Sequence, residues 1–330
     1  ITNMQEKIPV LDIIQKCDFS AENPFDVNES LFPNLLNYLQ PKLVKFIEQH
    51  VYKSWVDTGF IGENTGVVFY DLIAKKMLQD RYKGYLEHLS HQQINDINDT
   101  FSLVIKDEAR HSEIFLGILK KMNFASSYNT DFIVNSQHFA KHVTDKVFNG
   151  LYLTKHNEAS LLNHVCPMII GEAYLFACYG LFYKLSTNED KKLIFKSLMQ
   201  DESLHLNHFI GLINSARIPR SDIDEIKDEL HINILDHSAF EIVEVVPLIK
   251  SIVKDQQKQS TILDNIYNSK HHKTFRNLYF RKIYQFYKIL YPEMSESAMK
   301  TTLESYTLAE VFDRNTNNRD MLYQKSLLNQ

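Results

Sequence analysis

Glycine and proline are scarce in this chain, which has only 9 Gly and 8 Pro among 330 residues. Both counts lie far below average usage. Sheet proteins and nucleotide-binding α/β folds need glycine in their turns and phosphate loops, so the scarcity argues against both classes. Alternation typical of strands is also lacking, since the best candidate, residues 242–249, contains Pro247. The sequence therefore predicts an all-α fold with long helices and few turns.

Cysteine and excess positive charge are scarce as well. The three cysteines (Cys17, Cys166 and Cys178) do not have the spacing of metal ligands, and such a set is too sparse to crosslink a secreted fold. The first ten residues lack the apolar stretch of a signal peptide. We therefore expect a cytoplasmic protein. The formal net charge of −5 argues against nucleic-acid binding, which uses a basic surface.

The longest apolar stretch covers residues 165–183 and contains a single charge, Glu172. Its length would suffice to span a membrane. However, a carboxylate at its middle would be costly in lipid, and Pro167 interrupts the stretch. We interpret it as a helix buried on all sides within a water-soluble bundle, with no membrane contact. A carboxylate in such a place stays ionised only beside a cation or a metal ion, so Glu172 requires a partner.

Helical periodicity organises most of the chain. Residues 1–30 are predicted to form an irregular arm with a turn at Asn23-Pro24, and a first helix is expected to begin near Pro33 or Pro41. Helical patterns follow over residues 62–83, 95–122, 131–155, 157–185 and 188–216. We predict one domain over residues 1–330, with its core at roughly 60–215. Residues 221–330 would be helical elaboration that completes the bundle, caps a pocket or forms a homodimer interface.

Two DExxH strings carry the chemistry. They are Asp107-Glu108-Ala109-Arg110-His111 and Asp201-Glu202-Ser203-Leu204-His205. A Glu and a His three positions apart lie on one face of a helix, where both can bind the same metal ion. About 0.05 such strings are expected by chance from this composition, so two are significant. One string alone would be explained equally well by a solvated ion pair, but both strings here have apolar neighbours.

The spacing of these residues predicts the architecture. Glu172 precedes Glu202 by 30 positions. One helix with a carboxylate followed by one helix with ExxH, used twice, is the pattern of a four-helix bundle that holds two metal ions. Four carboxylates and two histidines suit two iron ions, with manganese or a mixed Mn/Fe pair as alternatives.

The carboxylate of the first helix is ambiguous. Asp71 lies 37 positions before Glu108 and is closer to the spacing of the second helix pair. Glu63 lies 45 positions before Glu108 and would need a longer connection between the helices. The two residues remain alternatives at this stage, with Asp71 favoured by the spacing.

With these motifs, residues 60–215 resemble the ferritin-like diiron carboxylate proteins, and most closely the p-aminobenzoate N-oxygenase family. The shared pattern is a duplicated E-x(28–37)-DExRH, from which the chain departs at Leu204, where Arg is expected, and at Asp71, where Glu is expected. The resemblance implies a ferritin-like four-helix bundle and a non-haem diiron monooxygenase. Such an enzyme activates O2, takes electrons from an external donor, and oxidises a small organic substrate by N-oxygenation of an amine or by hydroxylation.

Two other functions share these motifs. One is a diiron desaturase or hydroxylase that acts on a carrier-bound acyl chain. The other is a non-catalytic ferritin-like protein that binds iron.

The resemblance also implies a role for each site residue. The metal ligands would be Glu108, His111, Glu172, Glu202, His205 and either Asp71 or Glu63. Outside them, Asp107 would hold the ring of His205, Asp201 would hold the ring of His111, and Arg110 would compensate the carboxylates or pair with one of these Asp residues. No catalytic residue beyond the metal ligands is predicted. Five aromatic residues are candidates for a substrate pocket or for plain packing: Tyr70, Phe115, Tyr174, Phe176 and Tyr179.

Overall fold

The computed structural model of the chain describes residues 10–78, 83–122 and 161–305, and the regular elements in these ranges are all helical. The predicted all-α class is therefore confirmed for this part of the chain. A short 3-10 turn at Pro33–Asn37 precedes the long helices. The α-helices are α1 (Val10–Lys16), α2 (Pro41–Leu78), α3 (Lys83–Leu86), α4 (His91–Lys121), α5 (Leu161–Leu185), α6 (Glu189–Ser215), α7 (Arg220–Ser238), α8 (Phe240–Ile252), α9 (Gln256–Tyr267), α10 (Lys270–Leu290) and α11 (Glu296–Glu304).

Four long helices form a bundle at the centre of the molecule. Helix α2 packs along α4, and α5 packs along α6. Contacts between α4 and α6 and between α2 and α5 join the two pairs. The patterns predicted over residues 95–122 and 188–216 match α4 and α6 to within a few residues at each end. The pattern over residues 62–83 covers the second half of α2 and that over residues 157–185 covers α5, although both also include residues outside the described ranges, and the pattern over residues 131–155 lies entirely outside them. Helix α2 begins at Pro41, one of the two predicted starts of a helix led by proline, although the shorter α1 precedes it.

Helix α5 is a core helix. Its segment His164–Leu185 is long and apolar enough to cross a membrane, but most of the segment is buried within the protein. The covering elements include α6, α7 and α10. At the contact with α10, a Cβ atom at Gly180 would lie 2.9 Å from Cδ1 of Leu278, so glycine permits the two helices to approach closely. The burial supports the interpretation of this stretch as the interior of a water-soluble bundle.

Polar caps, rather than glycine or proline, mark many of the helix starts. Ser90 and Gln93 form a reciprocal capping box at the start of α4, and the side chain of Asn188 accepts hydrogen bonds from two backbone N–H groups of α6. Ser269 caps α10 in the same way. Residues 242–249, the best strand candidate in the sequence, belong to helix α8, which contains Pro247.

The N-terminal arm is more regular than predicted. Residues 1–30 were expected to be irregular, but residues 10–16 form α1, which packs against α4 and α6. Val10 and Ile14 of this helix are buried, and that apolar spacing was too short to be recognised as a helix in the sequence. Farther along, the buried Nζ of Lys191 donates to the backbone oxygen of Pro24 at 2.9 Å and lies 2.7 Å from Oδ2 of Asp26. These contacts hold the arm against the bundle.

Candidate metal centre

Each of the four bundle helices contributes at least one carboxylate to a common buried site, and α4 and α6 each add a histidine. All six side chains are at most 2% exposed, although such polar groups are normally found on protein surfaces. The six residues are Glu63 on α2, Glu108 and His111 on α4, Glu172 on α5, and Glu202 and His205 on α6. Their meeting point is the centre of the bundle, where water cannot hydrate them.

The six side chains form two overlapping groups, and in each group the candidate ligand atoms lie within 4.8 Å of one another. We call the first group position 1; it contains Glu63, Glu108, His111 and Glu202. We call the second group position 2; it contains Glu108, Glu172, Glu202 and His205. Because Glu108 and Glu202 belong to both groups, the two groups that could each hold a metal ion share two carboxylates.

Short distances define each position. At position 1, Nδ1 of His111 lies 3.0 Å from Oε1 of Glu202 and 3.3 Å from Oε2 of Glu63. At position 2, Nδ1 of His205 lies 2.9 Å from Oε1 of Glu108 and 3.3 Å from Oε2 of Glu172. The two imidazole rings are 6.0 Å apart between centroids. Each Nδ1 atom therefore points at carboxylate oxygens, as it would in a shared metal coordination sphere.

Many polar atoms of the site lack a hydrogen-bond partner within the protein and would be satisfied by metal ions instead. Both carboxylate oxygens of Glu108 and of Glu202, Oε2 of Glu172 and Nδ1 of His205 are buried without a hydrogen-bond partner. Nδ1 of His205 is near Oε1 of Glu108, but the two atoms are not aligned for a hydrogen bond. Orphaned buried carboxylates are strongly destabilising. A set of carboxylate and imidazole donors of this kind suits iron or manganese.

The electrostatics of the site show the cost of leaving it without cations. Burial raises the pKa of Glu63 well above its ordinary value, and the nearby carboxylates of Glu108 and Glu202 raise it further. Burial and Glu202 likewise raise the pKa of Glu172. Burial also acts to raise the pKa of Glu202, but the nearby imidazoles of His111 and His205 outweigh it and hold that pKa below its usual range. The site therefore mixes protonated and ionised carboxylates unless a metal replaces the protons.

Each histidine also has an aspartate near its second ring nitrogen, Nε2. Nε2 of His111 lies 3.2 Å from Oδ2 of Asp201, and Arg110 donates a hydrogen bond to the same Asp201 oxygen. Nε2 of His205 lies 3.5 Å from Oδ2 of Asp107. The structure thus brings Asp107 and Asp201 to the rings for which the sequence suggested them. The acceptor at Nε2 of His111 fixes the tautomer that leaves Nδ1 of that ring available to a metal, whereas Nε2 of His205 makes no hydrogen bond to Asp107.

Asp71, the carboxylate that spacing favoured, does not join the site. Its side chain is 45% exposed and pairs with Lys75 on the same helix. Glu63 takes the place in the site and is 0% exposed. The expectation of equal spacing in the two helix pairs was wrong because the connection between α2 and α4 is longer than the one between α5 and α6 and includes α3.

Two further residues have a part in the site: Gly66, which had no recognisable signal in the sequence, and Tyr179, which was a candidate only for pocket lining or packing. Gly66 lies on α2 opposite Glu108, and a Cβ atom at this position would overlap Oε2 of Glu108. Tyr179 is fully buried, and its hydroxyl donates a hydrogen bond to Oε1 of Glu63. Only its buried aromatic character was visible beforehand.

The other predicted aromatic residues divide into two sets. The ring of Phe115 stacks on Tyr179 at a centroid distance of 5.5 Å, and Tyr70 stacks on Phe209 at 5.1 Å. Tyr174 and Phe176 face α10 instead, where Tyr174 contacts Phe275 and Phe176 lies under the Nζ atom of Lys282. These contacts of Tyr174 and Phe176 are with residues other than the six ligand residues.

A cavity of about 170 Å³ opens elsewhere, between residues 29–35 and the start of α10. None of the six ligand residues lines it.

Comparison with known proteins adds no assignment: no protein-family model, no curated protein and no solved structure matches this chain. What the fold and the site define is a helical bundle with buried Glu and His groups that could hold metal ions.

Proposed function

We propose that the chain is a non-haem diiron oxygenase with a ferritin-like bundle, which uses O2 and electrons from an external donor to oxidise a small organic substrate. The observation that carries the proposal is the pair of four-residue groups that share Glu108 and Glu202. One helix pair supplies Glu63, Glu108 and His111, and the other supplies Glu172, Glu202 and His205. This is the ligand set of ferritin-like dimetal carboxylate proteins.

Charge balance supports two divalent ions rather than one. Four carboxylates carry four negative charges when ionised, and two divalent cations neutralise them, whereas a single ion would leave two charges buried. The unpartnered oxygens of Glu108 and Glu202 also support two ions, because each of these residues offers atoms to both positions.

The side chains of the site have distinct roles in the proposed reaction. Two bound iron(II) ions would supply the electrons and the open coordination positions that O2 activation needs. Glu108 and Glu202 would each offer an oxygen to both positions, while His111 and His205 would each supply a nitrogen to one position. Asp201 holds the imidazole ring of His111 in orientation, and Asp107 lies 3.5 Å from Nε2 of His205. The packed aromatic rings around Tyr179 and Phe115 exclude water from the centre.

The proposal is tested by metal loading followed by exposure to O2. The protein should bind two iron(II) ions per chain under anaerobic conditions, and its absorption spectrum should change when O2 is admitted. Glu172→Ala should lose at least one ion, whereas Glu113→Ala, a change at an exposed acid on α4, should retain both. Retention of both ions in Glu172→Ala would refute the ligand assignment. Two bound irons that do not react with O2 would instead favour a non-catalytic iron-binding protein.

A further inference from the structure

The two helix pairs repeat the same residues at the same local spacing. Each pair has a Glu followed seven positions later by a Tyr on its first helix, and Asp-Glu-x-x-His-x-x-x-Phe on its second. In α2 and α4 the residues are Glu63, Tyr70, Asp107, Glu108, His111 and Phe115; in α5 and α6 they are Glu172, Tyr179, Asp201, Glu202, His205 and Phe209.

The contacts between the pairs repeat as well. Phe115 stacks on Tyr179 at 5.5 Å, and Phe209 stacks on Tyr70 at 5.1 Å, each with an interplanar angle of 29°. Nε2 of each histidine likewise faces the Asp of the opposite pair, at hydrogen-bond distance for His111 and at 3.5 Å, without a hydrogen bond, for His205. The site therefore has an approximate twofold symmetry that exchanges position 1 with position 2.

The first break in this symmetry is at the tyrosines. The hydroxyl of Tyr179 donates to Oε1 of Glu63, which leaves Oε2 of Glu63 to face Nδ1 of His111. Among the hydrogen bonds of the described residues, Tyr70 makes no matching bond to Glu172. Oε2 of Glu172 is instead buried without a hydrogen-bond partner. The carboxylate of Glu63 is thus held in a single orientation by a tyrosine, whereas the carboxylate of Glu172 lacks that restraint.

The second break is at the residue before each histidine. Arg110 precedes His111 and binds Asp201, which in turn contacts Nε2 of His111. The equivalent residue before His205 is Leu204, which is 65% exposed and carries no charge. The Asp107–His205 contact is also the longer one, at 3.5 Å against 3.2 Å. Both breaks therefore restrain the ligands of position 1 and leave those of position 2 less restrained.

We propose that the two positions load in order, with the first metal ion binding more tightly at position 1 because Tyr179 and Arg110 hold Glu63 and His111 in place. This inference rests on the two-metal site of the proposed function. Tyr179 and Arg110 are positioning residues in it, since each acts through another side chain. Groups that orient metal ligands typically change affinity by about 10–100-fold, so the two affinities should differ by a factor of that order.

Titration of the metal-free protein with Mn(II), followed by calorimetry and by electron paramagnetic resonance, tests the order of loading. Substoichiometric Mn(II) should give the spectrum of an isolated ion, and coupled pairs should appear only after the first equivalent. Glu63→Gln should remove the tighter class, and Glu172→Gln the weaker one. Two indistinguishable affinities, or the reverse assignment, would overturn the inference. Absence of any Mn(II) binding would instead remove the two-metal site itself, and the proposed function with it.

Because the two helix pairs are related by approximate symmetry, Tyr70 provides a matched control for the positioning residue Tyr179. Tyr179→Phe should weaken the first binding event by about 10–100-fold. Tyr70→Phe, the same change at the equivalent position, should leave both affinities within about twofold, because Tyr70 donates no described hydrogen bond to a ligand. Equal effects of the two changes would contradict the inference. Thermal unfolding of each metal-free variant separates loss of affinity from loss of folding.

A gain of affinity provides an independent test that does not depend on a core substitution. Leu204→Arg introduces a guanidinium at the position equivalent to Arg110, where the exposed surface tolerates a long side chain. We expect the weaker Mn(II) class to tighten toward the stronger one, with the first affinity unchanged. No change at position 2 would count against the role of Arg110.

Discussion

Gly66 on α2 faces the carboxylate of Glu108 on α4 with no side chain between them. A methyl group at position 66 would overlap Oε2 of Glu108, which is an oxygen with no hydrogen-bond partner in the protein. Glycine here creates the space in which a ligand shared by both metal positions can lie. It also places the backbone of α2 unusually close to the centre of the bundle.

Gly66→Ala should therefore impair metal binding at both positions. The new methyl group pushes the Glu108 carboxylate away, and Glu108 belongs to both groups. We expect fewer than two Mn(II) ions per chain by elemental analysis at metal concentrations that saturate the natural protein.

Gly62→Ala, one turn earlier on α2, is the matched control. Its Cβ would lie 3.6 Å from Cδ2 of Leu175, an ordinary van der Waals contact. This variant should keep both ions and gain up to about 1 kcal/mol of stability from the better helix propensity of alanine. Equal metal loss in both variants would show that helix propensity or folding, not the space beside Glu108, is responsible.

Substitution of two acids on α2, Glu63 and Asp71, tests which of them is a metal ligand and which is a surface residue. Glu63→Gln should lower the bound metal by one ion per chain, because an amide is a far weaker ligand than a carboxylate. Asp71→Asn should keep both ions and cost at most about 0.3–0.5 kcal/mol, the value of an exposed i,i+4 ion pair such as that with Lys75. Elemental analysis and urea unfolding of the two variants check this. Loss of an ion in Asp71→Asn would return the ligand role to that residue.

Metal binding should strengthen as pH rises. Burial raises the pKa values of Glu63 and Glu172, so a metal ion must displace protons from them, and the apparent affinity increases as those protons become easier to remove. Calorimetric titration with Mn(II) in buffers of different ionisation enthalpy measures the protons released. Binding that is independent of pH, with no proton release, would contradict the raised pKa values.

The same shifts predict that the metal-free protein loses stability as pH rises. The stability linked to a raised pKa is fully present below the unfolded value, 4.5 for Glu63 and Glu172, and is lost as pH rises through the folded value. His111 and His205, whose folded pKa values are also raised, add a loss of the same sign above 6.5. The lowered pKa of Glu202 acts oppositely and matters only in acid.

Thermal unfolding with and without Mn(II), between about pH 5 and pH 8, measures this effect. The difference in melting temperature between the loaded and the metal-free protein should widen as pH rises. A constant difference would indicate that the buried acids do not change protonation when metal binds.

The attachment of the N-terminal arm can be tested away from the metal site. Lys191→Ala removes the buried ammonium group that binds Pro24 and Asp26, and it should lower the free energy of unfolding by about 1–3 kcal/mol. Lys192→Ala removes only a surface pair with Glu189 and should change it by less than about 1 kcal/mol. Urea unfolding compares the two variants. Similar effects would show that the buried contact is not what holds the arm.

Local patterns in the sequence predicted five of the residues in the two groups, because a Glu and a His three positions apart share a helix face wherever that helix packs. The choice between Glu63 and Asp71 depended on the length of a connection, which periodicity does not encode. Asp71 was favoured on spacing, and the structure leaves it on the surface. Contacts between residues far apart in the sequence could not be predicted either: the hydrogen bond from Tyr179 to Glu63 joins residues 116 positions apart.

Composition was a better guide to the fold than to its details. The scarcity of glycine indicated long helices, and the described residues contain them. The start of α2 at Pro41 follows from the preference of proline for the first helical turn. The pattern over residues 242–249 could be read as strand or helix because it is short and almost wholly apolar, and packing on neighbouring helices decides in favour of helix.

The distribution of the ligands also has a consequence for unfolding. The metal pair would tie together four helices that are separated along the chain, from Glu63 to His205, and so would act as a non-covalent crosslink closing large loops. Neither helix pair could then detach without breaking coordination bonds to Glu108 or Glu202. Loss of the metal would become part of the barrier to unfolding, so the lifetime of the loaded protein should be set by the rate of metal release.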